Sequence, residues 1–149
     1  MAEIRNRKAF FDYEILDRLV SGIVLHGSEV KSLRAGRGSF SGAFVSLRDG
    51  EAFLKNFNIP PWEFAQEKLN ADRDRKLLLK KQEIERLFRK TEEQGFTIIP
   101  LKLFFSRGYA KVEIALARGK RKYDKRNSIK EKDTERRAKQ TIRRYNGRE

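Results

Sequence analysis

The stretch that decides the fold is residues 97–117, which read TIIPLKLFFSRGYAKVEIALA. Apolar and polar residues alternate on both sides of a Ser106-Arg107-Gly108 turn, and a period of two is typical of β-strands that bury one face. On the first strand, the residues predicted to share one face are Thr97, Ile99, Leu101, Leu103 and Phe105. On the second strand they are Ala110, Val112, Ile114 and Leu116. The stretch therefore predicts an antiparallel hairpin.

Upstream, a second hairpin is predicted at residues 43–54, where Asp49-Gly50 joins two alternating runs. Both central residues of such a two-residue turn need positive φ, which Asp and Gly tolerate. A further strand is predicted from Tyr13. We expect it to end at a break at Gly22, before the apolar run of residues 23–25.

Helical spacing replaces alternation in two other segments. Apolar residues three and four apart predict a helix over residues 82–94, which Gly95 terminates. A shorter helix is predicted to begin at Ser28, a favourable N-cap, and to end at Gly36. Several antiparallel strands with one longer helix between them indicate a mainly β fold with helices. A small closed β-barrel would leave few free strand edges.

The composition constrains the partners more than the fold. The 149 residues include 35 Lys and Arg against 21 Asp and Glu, a formal net charge of +14. A chain of this length suits one domain with its own core. An excess of positive charge favours polyanionic partners, and nucleic acid is preferred here over a merely soluble basic protein.

The positive charge is concentrated near the C-terminus. Residues 119–149 hold thirteen Lys and Arg against five Asp and Glu, a net charge of +8. Because apolar residues are sparse there, we expect a body over residues 1–118 and a basic tail over residues 119–149 that is disordered when free. The tail residues that we single out are Lys120, Tyr123, Asp124, Lys125, Arg126, Arg136, Arg137, Arg143 and Arg144. A segment that becomes helical on RNA fits this pattern, and a tether without a defined fold is the alternative.

Few residues could support catalysis. The chain has no cysteine and a single histidine, His26, for which a structural role at the end of a strand is favoured. Asp72 and Asp74 could hold Mg²⁺, but the arginines beside them favour a solvated charged loop. Residues 36–39 lack the remaining spacing of a phosphate-binding loop and are expected to end a helix. We expect no enzyme, no metal site and no cofactor.

The sequence also carries expectations about location. No segment is long and apolar enough to span a bilayer, and the opening residues lack the apolar stretch of a secretion signal. We therefore expect a cytoplasmic protein without a membrane partner, and a monomer.

Cationic and flat side chains in the body are candidates for contacts with RNA phosphates and bases. Lys76 precedes the apolar run Leu77-Leu78-Leu79 and so places charge beside apolar surface. The alternation of its strand places Lys111 away from the predicted core. Trp62 follows Pro60-Pro61, and it either stacks on a base or covers one end of the barrel.

Several segments, taken in order, resemble the SmpB family, the SsrA-binding (tmRNA-binding) proteins of bacterial trans-translation. They extend over nearly the whole chain. The matching segments are Asn6-Arg7-Lys8-Ala9, Asp12-Tyr13, Glu29-Val30-Lys31-Ser32-Leu33-Arg34-Ala35-Gly36, Asp49-Gly50-Glu51-Ala52-Phe53-Leu54, Arg75-Lys76-Leu77-Leu78-Leu79, Pro100-Leu101-Lys102-Leu103, Gly108-Tyr109-Ala110-Lys111-Val112-Glu113-Ile114-Ala115-Leu116-Ala117, Gly119-Lys120 and Tyr123-Asp124-Lys125-Arg126.

The resemblance implies a closed β-barrel of the oligonucleotide-binding (OB) type with about three helices. It implies binding to the tRNA-like domain of tmRNA (SsrA RNA) and delivery of that RNA to stalled ribosomes, where the protein mimics the missing anticodon arm. It also implies that the tail is helical on the ribosome, in the decoding centre and the empty mRNA channel. By the same resemblance, Asn6, Leu78 and Lys111 fall where the family contacts tmRNA, and residues 123–126 fall on the tail motif that engages the decoding site.

Two positions depart from the family pattern. Phe10-Phe11 stands where many members have Arg-His, and Val20 stands where many have Glu. The polar side chains that many members carry are therefore absent at these positions, and either neighbouring groups compensate or the affinity for RNA is lower. Two other hypotheses remain open: a general ribosomal or RNA-chaperone protein, which the net charge alone would explain, and an RNA-processing enzyme that uses Asp72 and Asp74.

Overall fold

The computed structural model describes residues 3–66 and 69–120, which form three helices and seven strands. In chain order the elements are β1 (Ile4–Arg5), α1 (Ala9–Asp12), β2 (Tyr13–Ile23), α2 (Gly27–Arg34), β3 (Phe44–Arg48), β4 (Glu51–Lys55), β5 (Arg75–Leu78), α3 (Lys81–Gln94), β6 (Thr97–Ser106) and β7 (Tyr109–Gly119). All seven strands pair antiparallel in one sheet, in the order β1-β6-β7-β2-β5-β4-β3. The prediction of a mainly β fold with three helices is confirmed.

The ladder of hydrogen-bonded strands is open rather than closed. In the described part of the chain, the two end strands β1 and β3 do not pair with each other. β3 lies against β6 instead. The outer edge of β6 is already occupied at Lys102 and Leu103, which pair with β1. The expected full closure of the ladder is therefore not seen, and β1 occupies part of the edge of β6 that a closing strand would use.

Both predicted hairpins are present. The β3–β4 turn has positive φ at Asp49 (53°) and Gly50 (74°), as a two-residue turn between twisted strands requires. The β6–β7 turn has positive φ at Arg107 (52°) and Gly108 (83°), and Ser106 pairs with Tyr109. The alternation and the turn residues therefore predicted both connections correctly.

The predicted face of β6 is only partly right. Leu103 and Phe105 pack in the main core, but Ile99 and Leu101 belong to a second cluster beneath α1. The register of β6 against β7 shifts just after Pro100. Proline has no N–H for the ladder and the bulge adds a residue, so the strand changes faces there.

β2 is continuous where the sequence predicted a break. It runs from Tyr13 to Ile23 and includes Gly22. β7 pairs with β2 along nearly all of the length of β2, and β5 pairs with the last two residues of β2, Gly22 and Ile23. Ladder bonds on both edges therefore hold the glycine in the strand, although its intrinsic strand propensity is low.

The main core lies beneath the inner face of the sheet, where α2 contributes Leu33 and α3 contributes Leu87. α2 begins earlier than predicted, because its N-cap is His26 rather than Ser28. The predicted stop of α3 at Gly95 is confirmed: the residue has a left-handed φ of 68°, and its N–H donates to the Thr91 carbonyl.

A buried ionic network fixes the start of β5. The Arg75 side chain is 0% exposed and donates to Glu29 Oε2 at 2.7 Å and to the Phe57 carbonyl, and Arg73 donates to Glu29 Oε1 at 2.5 Å. Burial raises the pKa of the Glu29 carboxyl. Hydrogen bonds from Arg73, the His26 N–H and Arg75 lower it by more, so the pKa lies below its ordinary value. The network ties α2 to the loop before β5 and so sets the position of that strand.

Candidate nucleic-acid interface

The outer face of the sheet is only partly covered. Ala9 of α1 belongs to a small apolar cluster on this face, together with Ile99, Leu101, Ala115 and Ala117. Beyond α1 the face is open, and its exposed apolar side chains are Val20 (50% exposed), Val24 (46%) and Leu78 (60%). Exposed apolar residues grouped on one face indicate an interaction surface.

Gly22 stands at the centre of this open face. It pairs with Lys111 of β7 on one side and with Leu78 of β5 on the other. Lys111 pairs in turn with Phe104 of β6. Neighbouring strands lie about 4.8 Å apart, so Lys111 and Leu78 stand about 10 Å apart in one row. Leu78 and Lys111, which the sequence selected for RNA contact, thus lie in one row. We call the four residues Phe104, Lys111, Gly22 and Leu78 the Gly22 row.

The cations of this face differ in their partners. Lys76 lies one row away and its Nζ is 2.6 Å from Glu51 Oε2. Lys102 Nζ is 3.8 Å from Glu3 Oε2. The Lys111 side chain makes no ion pair or hydrogen bond with any residue that the structure describes. Lys111 is therefore available to neutralise an external anion, whereas Lys76 would first have to leave its carboxylate.

Asn6 lies apart from the Gly22 row, beside the bulge of β6. Its side-chain Nδ2 donates to the Pro100 carbonyl at 2.8 Å, and its backbone N–H donates to the Leu101 carbonyl at 2.8 Å. These bonds hold the N-terminal segment to the bulge. The structure thus gives Asn6 a positioning role that the sequence did not predict.

Helix α1 connects the outer face to the beginning of the basic tail. Phe10 is 40% exposed, and the Arg18 guanidinium lies 5.4 Å from the centroid of its ring. Lys120 donates from Nζ to the Phe10 carbonyl at 2.8 Å and from its backbone N–H to the Asp12 carbonyl at 2.9 Å. The remaining residues predicted for the tail lie outside the described residues: Tyr123, Asp124, Lys125, Arg126, Arg136, Arg137, Arg143 and Arg144.

The carboxylates weighed for catalysis are engaged separately. Asp72 Oδ1 accepts from Asn58 Nδ2 at 3.1 Å, and Asp74 Oδ2 lies 3.5 Å from Lys55 Nζ. Residues 3–66 and 69–120 contain no group of three or more His, Cys, Asp or Glu side chains that could hold a metal ion. His26 is the N-cap of α2, and its backbone N–H donates to Glu29 Oε1 at 2.9 Å. The structural role predicted for its side chain stays a prediction.

Trp62 lies in the loop between β4 and β5, where it is half-buried and meets the ring of Phe64 edge-on at 5.7 Å. Phe64 is 75% exposed and was not singled out from the sequence. The pair lies beside the start of α2 rather than on the outer face. No helix in the described ranges is long and apolar enough to cross a membrane.

Sequence reasoning missed Gly22, Val24 and Phe104. Gly22 was interpreted as a break, Val24 was placed in an apolar run without an assigned face, and Phe104 was not singled out. Even spacing from Val20 through Gly22 to Val24 is the signal that could have placed Gly22 and Val24 on one face, since residues two apart on a strand share a face.

Comparison with known protein families covers nearly the whole chain. The sequence model of the family described as "SmpB protein" matches residues 3–144. A relative from Pelobacter propionicus, named "SsrA-binding protein", is 48% identical over 142 residues, which are 95% of this chain and 93% of the relative. A second "SsrA-binding protein", from Sulfurihydrogenibium sp., is 54% identical over 133 residues, 88% of this chain and 87% of the relative.

A similar chain is also known among solved structures. It belongs to work described as "tmRNA-SmpB: a journey to the center of the bacterial ribosome". It is 46% identical to this chain, superposes with a TM-score of 0.70, and the match covers 87% of this chain and 95% of that chain.

Proposed function

Because this chain belongs to the SmpB protein family, we propose that it binds tmRNA (SsrA RNA) and is required for trans-translation, the rescue of stalled ribosomes. The observation that carries the proposal is the 46% identity and TM-score of 0.70 to a chain of a tmRNA-SmpB structure. Its partners are then tmRNA and the ribosome, and its place of action is the cytoplasm.

The body binds the tRNA-like domain of tmRNA through the open outer face. Lys111 neutralises a phosphate, and Leu78 offers apolar contact in the same row; the register through Gly22 supports their joint action. Lys76 contributes after release from Glu51.

Asn6 acts beside the bulge of β6, where its Nδ2 is already engaged. Phe10 and Val20 supply apolar surface where many family members carry polar groups.

The basic tail, residues 119–149, enters the decoding centre and the empty mRNA channel and becomes helical there. With it, the protein mimics the anticodon arm that tmRNA lacks. The support is the charge split, since this segment holds +8 of the net charge of +14. Lys120 lies at its start, where it donates to the Phe10 and Asp12 carbonyls of α1.

The finer fold assignment follows from the same family. The open antiparallel sheet, with β3 lying against β6, is a barrel of the OB type whose seam is closed by packing rather than by a ladder. The protein acts as a monomer, without a cofactor and without catalysis, since shape mimicry and phosphate neutralisation need neither.

Truncation separates the two parts of this function. A chain cut after Lys120 keeps β7 and both bonds to α1. It should bind tmRNA as tightly as the full chain, yet fail to tag proteins on stalled ribosomes. A matched variant, with residues 121–149 replaced by a Gly-Ser linker of equal length, should fail as well. Normal tagging by either variant would show that the tail does not have the proposed role.

A further inference from the structure

Gly22 does not owe its place in β2 to backbone conformation. Other glycines of the chain, such as Gly50 and Gly95, have positive φ, which side chains rarely adopt. Gly22 has no such angle and lies in regular ladder between β7 and β5. A residue with a side chain could therefore adopt the backbone conformation of Gly22. The reason for glycine must lie in the space that a side chain at position 22 would occupy.

That space is occupied by Leu78. A Cβ placed on Gly22 would lie 3.2 Å from Leu78 Cδ1 and 3.5 Å from Leu78 Cβ. The first distance is closer than ordinary van der Waals contact and the second is within it. Leu78 is 60% exposed, so few other contacts hold it. Any larger residue at position 22 would push the end of the leucine side chain away from β2.

We propose that Gly22 is a positioning residue: by leaving the centre of its row empty, it lets Leu78 lean over β2 toward Lys111, so that one apolar and one cationic group meet the RNA together. The inference rests on the proposed function, because Leu78 and Lys111 are taken as contacts to tmRNA. On this proposal, position 22 is a glycine because the shape of the contact surface requires it, and not because folding requires it.

A double-mutant cycle tests this role. Gly22→Ala should lower the affinity for the tRNA-like domain of tmRNA about fivefold, since roughly 1 kcal/mol of apolar contact is lost when Leu78 moves. In the background of Leu78→Ala, which removes Cδ1 but keeps Cβ, the same change should cost nothing further. Gly27→Ala is the matched control, because no atom lies within 4 Å of its added Cβ.

A readout without RNA keeps the inference separate from the proposed function. In methyl NMR spectra of the free protein, Gly22→Ala should shift the Leu78 methyl resonances, whereas Gly27→Ala should not. Unshifted methyls, or an equal loss of affinity in both backgrounds, would overturn the positioning role. Wild-type affinity of Leu78→Ala would overturn it too. Failure of the wild-type chain to bind tmRNA would instead refute the proposed function and leave the NMR result standing.

Discussion

At the scale of single residues, Lys111 is the cation whose removal should lower the affinity for tmRNA most directly. It has no side-chain partner in the described ranges, so binding a phosphate breaks no existing ion pair. Lys111→Met should weaken tmRNA binding and reduce the slope of log K against log salt by about one unit. Lys55→Met removes a lysine that already pairs with Asp74 and should change the slope little. Equal slopes for Lys111→Met and the wild type would contradict a phosphate contact.

The Arg75 side chain contributes to stability rather than to binding. Arg75→Met would leave the buried Glu29 carboxylate without one of its two guanidinium partners, and loss of a buried partner costs about 3–5 kcal/mol in the free energy of unfolding. Urea titration measures this loss. Arg86→Met, which breaks an exposed pair with Asp17, is the control and should cost no more than about 1 kcal/mol. Similar costs for the two variants would show that the network is not coupled to folding.

The same carboxylate predicts a pH dependence. The pKa of Glu29 is lowered in the folded chain, so the stabilisation it gives is fully present above its ordinary value of 4.5. It is lost as the pH falls from that value through the lower, folded pKa, because the unfolded chain takes up the proton first. Glu29→Gln should therefore flatten the fall in unfolding free energy below pH 4.5. Parallel pH profiles for the variant and the wild type would contradict the assignment.

At the scale of elements, the β3–β4 hairpin depends on its turn. Gly50 has a φ of 74°, a conformation that costs a residue with a Cβ about 1 kcal/mol or more. Gly50→Ala should lower the free energy of unfolding by about that amount in chemical denaturation. Gly27→Ala, at a position with ordinary φ and open space, should be neutral or stabilising. An unchanged stability of Gly50→Ala would mean that the turn adapts to another conformation.

The elements also show how far a sequence predicts this fold. Alternation and turn chemistry predicted both hairpins, because these signals are local. The reversal of faces along β6 escaped prediction, since a bulge at Pro100 changes the period. The continuity of β2 through Gly22 escaped as well, because strands from distant parts of the chain hold it on both edges. For the same reason, the sequence could select Leu78 and Lys111 only as separate candidates, and the structure was needed to show that they lie in one row.

At the scale of the whole molecule, two parts divide the proposed work. The body offers a sheet face with apolar side chains and an available lysine, and the tail carries more than half of the excess charge. Charge alone would give affinity for any RNA, with a steep loss as salt rises. Under the proposed function, specificity for one RNA comes from the shape of the body, to which α1, the Gly22 row and the bulge of β6 contribute.

The most direct test of this account is the binding of the full chain to labelled tmRNA at near-physiological salt, with excess unlabelled tRNA present. We predict that tight binding survives the competitor, because the proposed contact surface on the sheet would recognise the tRNA-like domain by shape and contact and not by charge alone. That result would also show that Phe10, Phe11 and Val20 are tolerated variations within the family. Complete displacement of tmRNA by tRNA would contradict the account and leave a general basic RNA-binding protein.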